Sequence, residues 1–195
     1  MAVKGGKHMT NCLCILPIRK SGILLLAAGA LLQSGAAAWA EELAKEGRYT
    51  VQYTATNPAP MKPMTIGNNR EMVVTNAVMW AINESGSGFL HDMTGRCSGW
   101  VIIDTAAVAF ESHGYCNYAD KDGDQMFEQY DWPMQPRGSA TNGTGKWIGG
   151  TGKYAGLQGT ITLKGRSLKP AVDGISQGAG QKIGTYKIVT ASAQK

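Results

Sequence analysis

Three residues with acid–base side chains alternate along one stretch of the chain: Glu111, His113 and Tyr115. A spacing of two places them on one face of a β-strand. A carboxylate beside an imidazole can accept and return protons, so these residues are candidates for general acid–base catalysis. The alternative is that they form the polar outer face of a strand. His91 and His113 are the only histidines after residue 40, which disfavours a histidine-rich zinc site.

A second group of carboxylates follows at Asp120, Asp122 and Asp124. Alternating carboxylates resemble the start of a calcium-binding loop, and calcium is the one metal cofactor that the sequence suggests. The EF-hand pattern fails, however, because Gly123 is the fourth loop residue instead of the sixth and Asp131 stands at position twelve. The alternative is an Asp-Gly turn between two strands, without metal.

Cys97 and Cys116 are the two cysteines after residue 40. If residues 97–118 form one hairpin, pairing these cysteines places the turn at 105–108 and sets Gly99 opposite Gly114. Directly opposed residues of an antiparallel pair lie at a distance that a disulfide can bridge. The sequence therefore predicts a Cys97–Cys116 disulfide, with two buried free thiols as the alternative.

Glycine is abundant, with 26 residues in 195, and it is concentrated at 145–159. This segment does not match a phosphate-binding loop, because neither Gly-Lys pair is followed by Ser or Thr and no βαβ pattern surrounds it. Tight turns and close strand packing are the structural interpretation.

Residues 1–40 have the three parts of a secretory signal peptide: a basic start, an apolar stretch over 22–38 and the small-residue end Ala38-Trp39-Ala40. An uncleaved N-terminal anchor is the alternative, since about 17 apolar residues approach spanning length. The predicted localisation is periplasmic or secreted, a setting in which disulfides persist, with no stable membrane insertion after cleavage.

The whole chain has 19 Lys and Arg against 14 Asp and Glu. The leader holds four of these bases and no acid, so the remainder has 15 bases and 14 acids. This balance leaves no basic patch for nucleic acid, and we expect no nucleic-acid partner.

Short segments with alternating or β-branched residues recur every 8–15 residues after position 47, and no long amphipathic helix is present. The clearest are 48–56 and 157–164. Segment 72–83 favours a strand, with a short buried helix as the alternative, and 170–180 is predicted to be a glycine-rich loop. The pattern predicts a signal peptide over 1–40, a lead-in over 41–47 and one all-β domain over 48–195. We expect a closed antiparallel barrel of about eight strands.

The segment 149–163 resembles a known family. Its Gly-Gly-Thr-Gly-x-aromatic-x-Gly-x-x-Gly motif over 149–159, followed by Thr-Ile-Thr-Leu, is similar to a segment of allene oxide cyclase-like and dirigent-like barrels. The resemblance implies an eight-stranded antiparallel barrel of lipocalin-like shape, often with an apolar central cavity. In that superfamily the motif is a turn between strands, and the resemblance assigns no active-site residue to this chain.

Four tryptophans follow the leader, and Trp100 and Trp147 are the predicted cavity-lining residues; the alternative for each is core packing. The leading hypothesis is an exported barrel that binds a small, largely apolar molecule. An isomerase or cyclase acting in the cavity is the second hypothesis, and a structural or interaction protein of the cell envelope is the third. If the disulfide faces the interior, strand alternation places Glu111, His113 and Tyr115 outside.

Overall fold

The computed structural model describes residues 43–58, 62–138 and 140–189. The predicted signal peptide over 1–40 lies outside the described residues. The described chain is all-β, and its one helical element is a 3₁₀ turn at Gly152–Tyr154. No helix within these ranges is long and apolar enough to span a bilayer. The strands are β1 (Glu46–Asn57), β2 (Met64–Gly67), β3 (Arg70–Asn83), β4 (Met93–Asp104), β5 (Ala109–Ala119), β6 (Gln125–Pro136), β7 (Thr141–Gly150), β8 (Leu157–Leu168) and β9 (Ser176–Ile188).

All strands pair antiparallel in one sheet with the order β1-β9-β8-β7-β6-β5-β4-β3-β2. The additional pairing of β1 with β3, from Val51 opposite Asn83 to Thr56 opposite Val78, closes the sheet on itself. The predicted closed antiparallel barrel is therefore confirmed, with eight strands in the ring. Strand β2 is a short ninth strand that pairs with the start of β3.

The β4–β5 hairpin has the register predicted from the cysteines. Cys97 lies opposite Cys116, Gly99 opposite Gly114, and the turn spans 105–108. The two cysteines form a disulfide, with their Cα atoms 4.0 Å apart, so the predicted bond is confirmed. Both side chains are buried and face the barrel interior.

The predictions for 72–83 and 170–180 can be compared with β3 and β9. Segment 72–83 is part of β3, so the strand is correct and the helix alternative is wrong. The predicted loop over 170–180 is wrong in its second half, because β9 begins at Ser176. The glycines at 178 and 180 lie on the inner side of β9, where the large side chain of Tyr53 lies over Gly180. Gly180 therefore allows the close approach of a ring and of the neighbouring strand, and it does not end the strand.

The two ends of the barrel differ in packing. We define the closed end by the connections 84–92, 120–124 and 151–156, and the open end by the connections 105–108 and 169–175. At the closed end Phe89 and Leu90 fold into the interior and are buried. Phe89 stacks on Tyr186, with ring centroids 3.9 Å apart. Towards the open end, inward-facing side chains such as Tyr53 and Trp132 are only half-buried, so one end is filled and the other is hollow.

Candidate functional site

A cavity of about 180 Å³ lies inside the barrel on its open-end side. Strand alternation supplies its walls, because every second residue of each strand points inward. Most of the wall is apolar, including the disulfide, and a smaller part is polar or charged. The lining residues are Tyr53, Ala55, Asn57, Thr75, Ala77, Met79, Cys97, Val101, Ser112, Cys116, Glu128, Tyr130, Trp132, Leu163 and Lys182.

The charged part of the wall is a buried ion pair between Glu128 of β6 and Lys182 of β9. The Lys182 Nζ donates to both carboxylate oxygens of Glu128, at 2.6 Å to Oε1 and 2.5 Å to Oε2. The two side chains are 0% and 3% exposed. Fully buried charges are rare and costly unless paired, because leaving water removes their solvation. This pair is therefore the strongest sign of a functional site in the described chain.

Aromatic rings surround the ammonium group. The Lys182 Nζ lies 5.4 Å from the ring centroid of Tyr53 and 5.2 Å from that of Tyr118, distances typical of cation–π contacts. Burial lowers the pKa of Lys182 below its ordinary value, and the adjacent Glu128 carboxylate opposes that shift. Burial, and then the charge of Glu128, raise the pKa of Tyr53 and of Tyr118 above the usual range. Both tyrosines are therefore neutral hydroxyl groups at physiological pH.

Hydroxyl groups occupy the wall between the ion pair and the open end. The Tyr130 hydroxyl lies beside Ser112 and Thr75, whose hydrogen bonds oppose the burial that raises its pKa. The Tyr53 hydroxyl donates to the backbone carbonyl of Lys164 at 3.3 Å. The cavity therefore combines apolar walls with a few fixed polar groups, the usual composition of a small-molecule site.

Glycines on neighbouring strands make room for these rings. Gly99 and Gly114 lie opposite each other, and a Cβ atom at either position would come within 2.5 Å of the Tyr130 hydroxyl. At Gly180 an added Cβ would come within 2.6 Å of the Tyr53 hydroxyl. At all three positions a backbone carbonyl oxygen of the neighbouring strand would lie closer still. The high glycine content is thus partly a requirement of the barrel wall, since a larger residue would meet both the neighbouring strand and the ring above it.

Two irregularities in strand pairing flank the wall residues of β6. The pairing of β6 with β7 shifts between Phe127 and Glu128, which leaves Ile148 as an extra residue and sets Glu128 opposite Trp147. The pairing of β5 with β6 shifts after Phe110, and Trp132 then lies opposite Ser112. Such bulges redirect side chains locally.

The structure places Glu111, His113 and Tyr115 away from the cavity. The disulfide faces inward, so the three lie on the outer face of β5, as strand alternation requires. They do not form one cluster with the cavity residues. His113 Nδ1 instead contacts Asp131 Oδ2 of β6 at 2.5 Å, and its ring lies 5.5 Å from that of Trp100. Tyr115 is 53% exposed.

Neither predicted tryptophan lines the cavity. Trp100 is on the outer surface and 41% exposed, because it pairs with the outward-facing His113. Trp147 faces inward but belongs to the filled closed end, where its Nε1–H donates to the Tyr49 hydroxyl at 3.0 Å. The tryptophan of the cavity wall is Trp132.

The three aspartates at 120–124 lie in the β5–β6 connection, around a lysine. Lys153 Nζ is 2.5 Å from Asp120 Oδ2 and 2.9 Å from Asp122 Oδ2, and the Lys153 backbone N–H donates to Asp124. An ammonium group thus occupies the space between two of the carboxylates. Within the described ranges, no three His, Cys, Asp or Glu side chains are grouped so as to hold a metal ion.

A larger depression of about 970 Å³ lies outside the barrel, against β3 and β4. Its walls are exposed side chains such as Val74 and Val78, and its two cations, Lys62 and Arg96, are also exposed. Since its described lining contains no buried ionisable group, we place the candidate site in the smaller interior cavity.

Sequence reasoning missed the main wall residues Glu128, Lys182, Tyr53, Tyr130 and Trp132. A signal for the ion pair was present. In β6, Glu128 alternates with Met126 and Tyr130, and in β9 Lys182 shares its face with Tyr186. A charged residue in an apolar alternation marks a charge that points inward.

No protein-family model and no curated protein matches this sequence. Among solved structures, the fold is similar to that of a pterocarpan synthase dirigent protein. The likeness has a TM-score of 0.48 at 12% sequence identity, and it covers 78% of this chain and 91% of that one. At this identity the likeness concerns the fold alone.

Proposed function

We propose that this barrel binds a small, mostly apolar, uncharged molecule in its interior cavity. The observation that carries the proposal is the Glu128–Lys182 pair, which is buried in the wall of an otherwise largely apolar cavity. A volume of about 180 Å³ suits a ligand built on a single ring, since cavities of roughly 150 Å³ hold benzene.

The ion pair also selects against a charged ligand. Its two charges cancel, so an ionised ligand would bring an uncompensated charge into a largely apolar site. A neutral ligand with one polar group avoids this cost and can hydrogen-bond to the ammonium or to the hydroxyls of Tyr130 and Ser112. Benzyl alcohol has this composition and serves as the probe.

The test is an NMR titration of the protein with benzyl alcohol, following the indole N–H signal of Trp132. We expect saturable binding in the wild type and at least a tenfold loss of affinity in Ala77→Leu, which fills the cavity. Val78→Leu, one position along on the outer face, is the matched control and should bind normally. Ala55→Leu is a second filling variant if Ala77→Leu does not fold. Absence of saturable binding, or equal binding by folded filled and control variants, would refute the proposal.

We also propose that the barrel works outside the reducing cytosol. The Cys97–Cys116 disulfide supports this, because such bonds persist in oxidising compartments, and so does the signal-like pattern of residues 1–40. Fractionation of cells that express the full chain tests the proposal. Periplasmic or extracellular protein that begins near residue 41 is the expected result, and cytosolic protein with its first forty residues intact would contradict it.

A further inference from the structure

We propose that Lys182 forms an imine with a small uncharged aldehyde held in the barrel cavity, with Glu128 transferring the protons. This inference rests on the proposed cavity binding and identifies the ligand class as a single-ring carbonyl compound. An aldehyde is neutral, as the cancelled charges of the ion pair require, and its oxygen can accept a hydrogen bond from the Lys182 ammonium.

The geometry provides the reacting groups in one place. Lys182 and Glu128 both line the cavity, and each oxygen of Glu128 accepts a hydrogen bond from the Lys182 Nζ. The carboxylate is therefore already positioned to take a proton from the ammonium. Among the described residues, Lys182 is the only lysine in the buried set.

The electrostatic environment supports the same chemistry. An amine attacks a carbonyl only in its neutral form, and desolvation of a lysine in an apolar pocket is a known way to reach that form. Burial lowers the pKa of Lys182, which favours the neutral amine. The rings of Tyr53 and Tyr118 above the ammonium shield it from bulk water.

The step balances without any external oxidant or reductant. Glu128 accepts one proton from the Lys182 ammonium, and the neutral amine adds to the aldehyde carbon to give a carbinolamine. Glu128 then returns the proton to the carbinolamine hydroxyl, which leaves as water while the C=N bond forms. The products are a protonated imine, the Glu128 carboxylate and one water molecule, so the net charge of the pair is unchanged.

The experiment traps the imine by reduction. The full chain is incubated with benzaldehyde and cyanoborohydride, and benzylated lysines are located by peptide mass spectrometry. We expect Lys182 to be modified at least tenfold faster than exposed lysines such as Lys146 and Lys164. Benzyl alcohol, which has no carbonyl, should slow modification at Lys182 only. Protein unfolded in urea should lose the preference for Lys182.

Two variants isolate the roles of the pair. Lys182→Met should abolish the preferred modification, and Glu128→Gln should slow it at least tenfold while exposed lysines react as before. If a variant does not fold, the protection by benzyl alcohol in the wild type remains as the decisive measurement. Saturable benzyl alcohol binding without preferred trapping at Lys182 would overturn the imine and leave the cavity proposal standing. Failure of benzyl alcohol to bind would remove the cavity proposal itself.

Discussion

Among the described residues, Glu128 and Lys182 are the two charged residues whose side chains are almost completely removed from solvent. An ion pair at such a position gains Coulomb energy but loses the hydration of both groups, and the net contribution to stability is small or unfavourable. Its presence in the wall of a cavity is therefore better explained by binding or chemistry than by stability.

Removing one partner should cost far more than removing both. We expect Glu128→Gln and Lys182→Met each to lower the free energy of unfolding by about 3–5 kcal/mol, because each leaves one buried group without its partner. The double variant Glu128→Met/Lys182→Met should lose less than about 2 kcal/mol, since no charge remains to be buried. Urea unfolding followed by circular dichroism measures all three.

Lys187→Met provides the control for that experiment. Lys187 Nζ lies 3.6 Å from Glu46, and both side chains are largely exposed, so its removal should change stability by less than about 1 kcal/mol. If the double variant loses as much as the two single variants combined, the two charges do not act as a pair.

Two connections at the closed end are joined through Lys153. The β5–β6 connection supplies Asp120 and Asp122, and the segment between β7 and β8 supplies the lysine that contacts both. Hydrogen bonds from Lys121 and Lys153 lower the pKa of Asp122 to about 2. The pKa of Asp120 is also lowered, since hydrogen bonds from Lys153 and from backbone N–H groups outweigh its partial burial.

These shifts predict a loss of stability in acid. A carboxyl group with a lowered pKa in the folded state stabilises the fold above its unfolded pKa, and the contribution disappears as the pH falls through the folded value. The window is therefore about pH 4 to 2. We expect Lys153→Met to be less stable than the wild type at pH 5, with a difference that shrinks as the pH falls from about 4 towards 2, as measured by urea unfolding. A difference that does not change with pH would contradict this linkage, and Lys187→Met is the matched control.

At the scale of strands, sequence patterns predicted most of the barrel. Alternation was sufficient to predict β1 from 48–56 and β8 from 157–164. The cysteine spacing was sufficient to predict the register of β4 with β5. The bulge at Ile148 could not be predicted in the same way, because a one-residue shift in β7 reverses which face the residues beyond it present. The inward alternation of Glu128 was visible in the sequence, but its contact with Lys182 joins two strands that are not neighbours in the sheet, and the alternation of a single strand does not specify such a contact.

The position of the catalytic candidates relative to the cavity could not be read from one strand alone either. Glu111, His113 and Tyr115 share one face of β5, as their spacing predicts, but the disulfide places the opposite face inside. Which face of a strand is buried depends on closure of the whole sheet, and closure rests on the pairing of β1 with β3, two strands that the chain does not make consecutive.

Considered as a whole, the barrel is divided into a filled half and a hollow half. The connection 84–92 enters the closed end, where Phe89 contacts Tyr186, Tyr49 and Trp147 through its ring. Leu90 follows with a φ of 60°, a left-handed conformation that is unfavourable for leucine, yet its side chain is fully buried. Burial of this pair therefore compensates for backbone strain in the connection.

The Phe89→Ala variant tests whether the filled half and the hollow half of the barrel are independent. Loss of a buried aromatic side chain lowers the free energy of unfolding by about 3–5 kcal/mol, whereas Tyr115→Ala, at an exposed outer position, should change it by less than about 1 kcal/mol. Because Phe89 is not among the residues that line the cavity, the folded Phe89→Ala protein should bind benzyl alcohol with an affinity within about twofold of the wild type. A folded variant that has lost this binding would show that the closed end and the cavity form one cooperative unit, and the division into two halves would then be wrong.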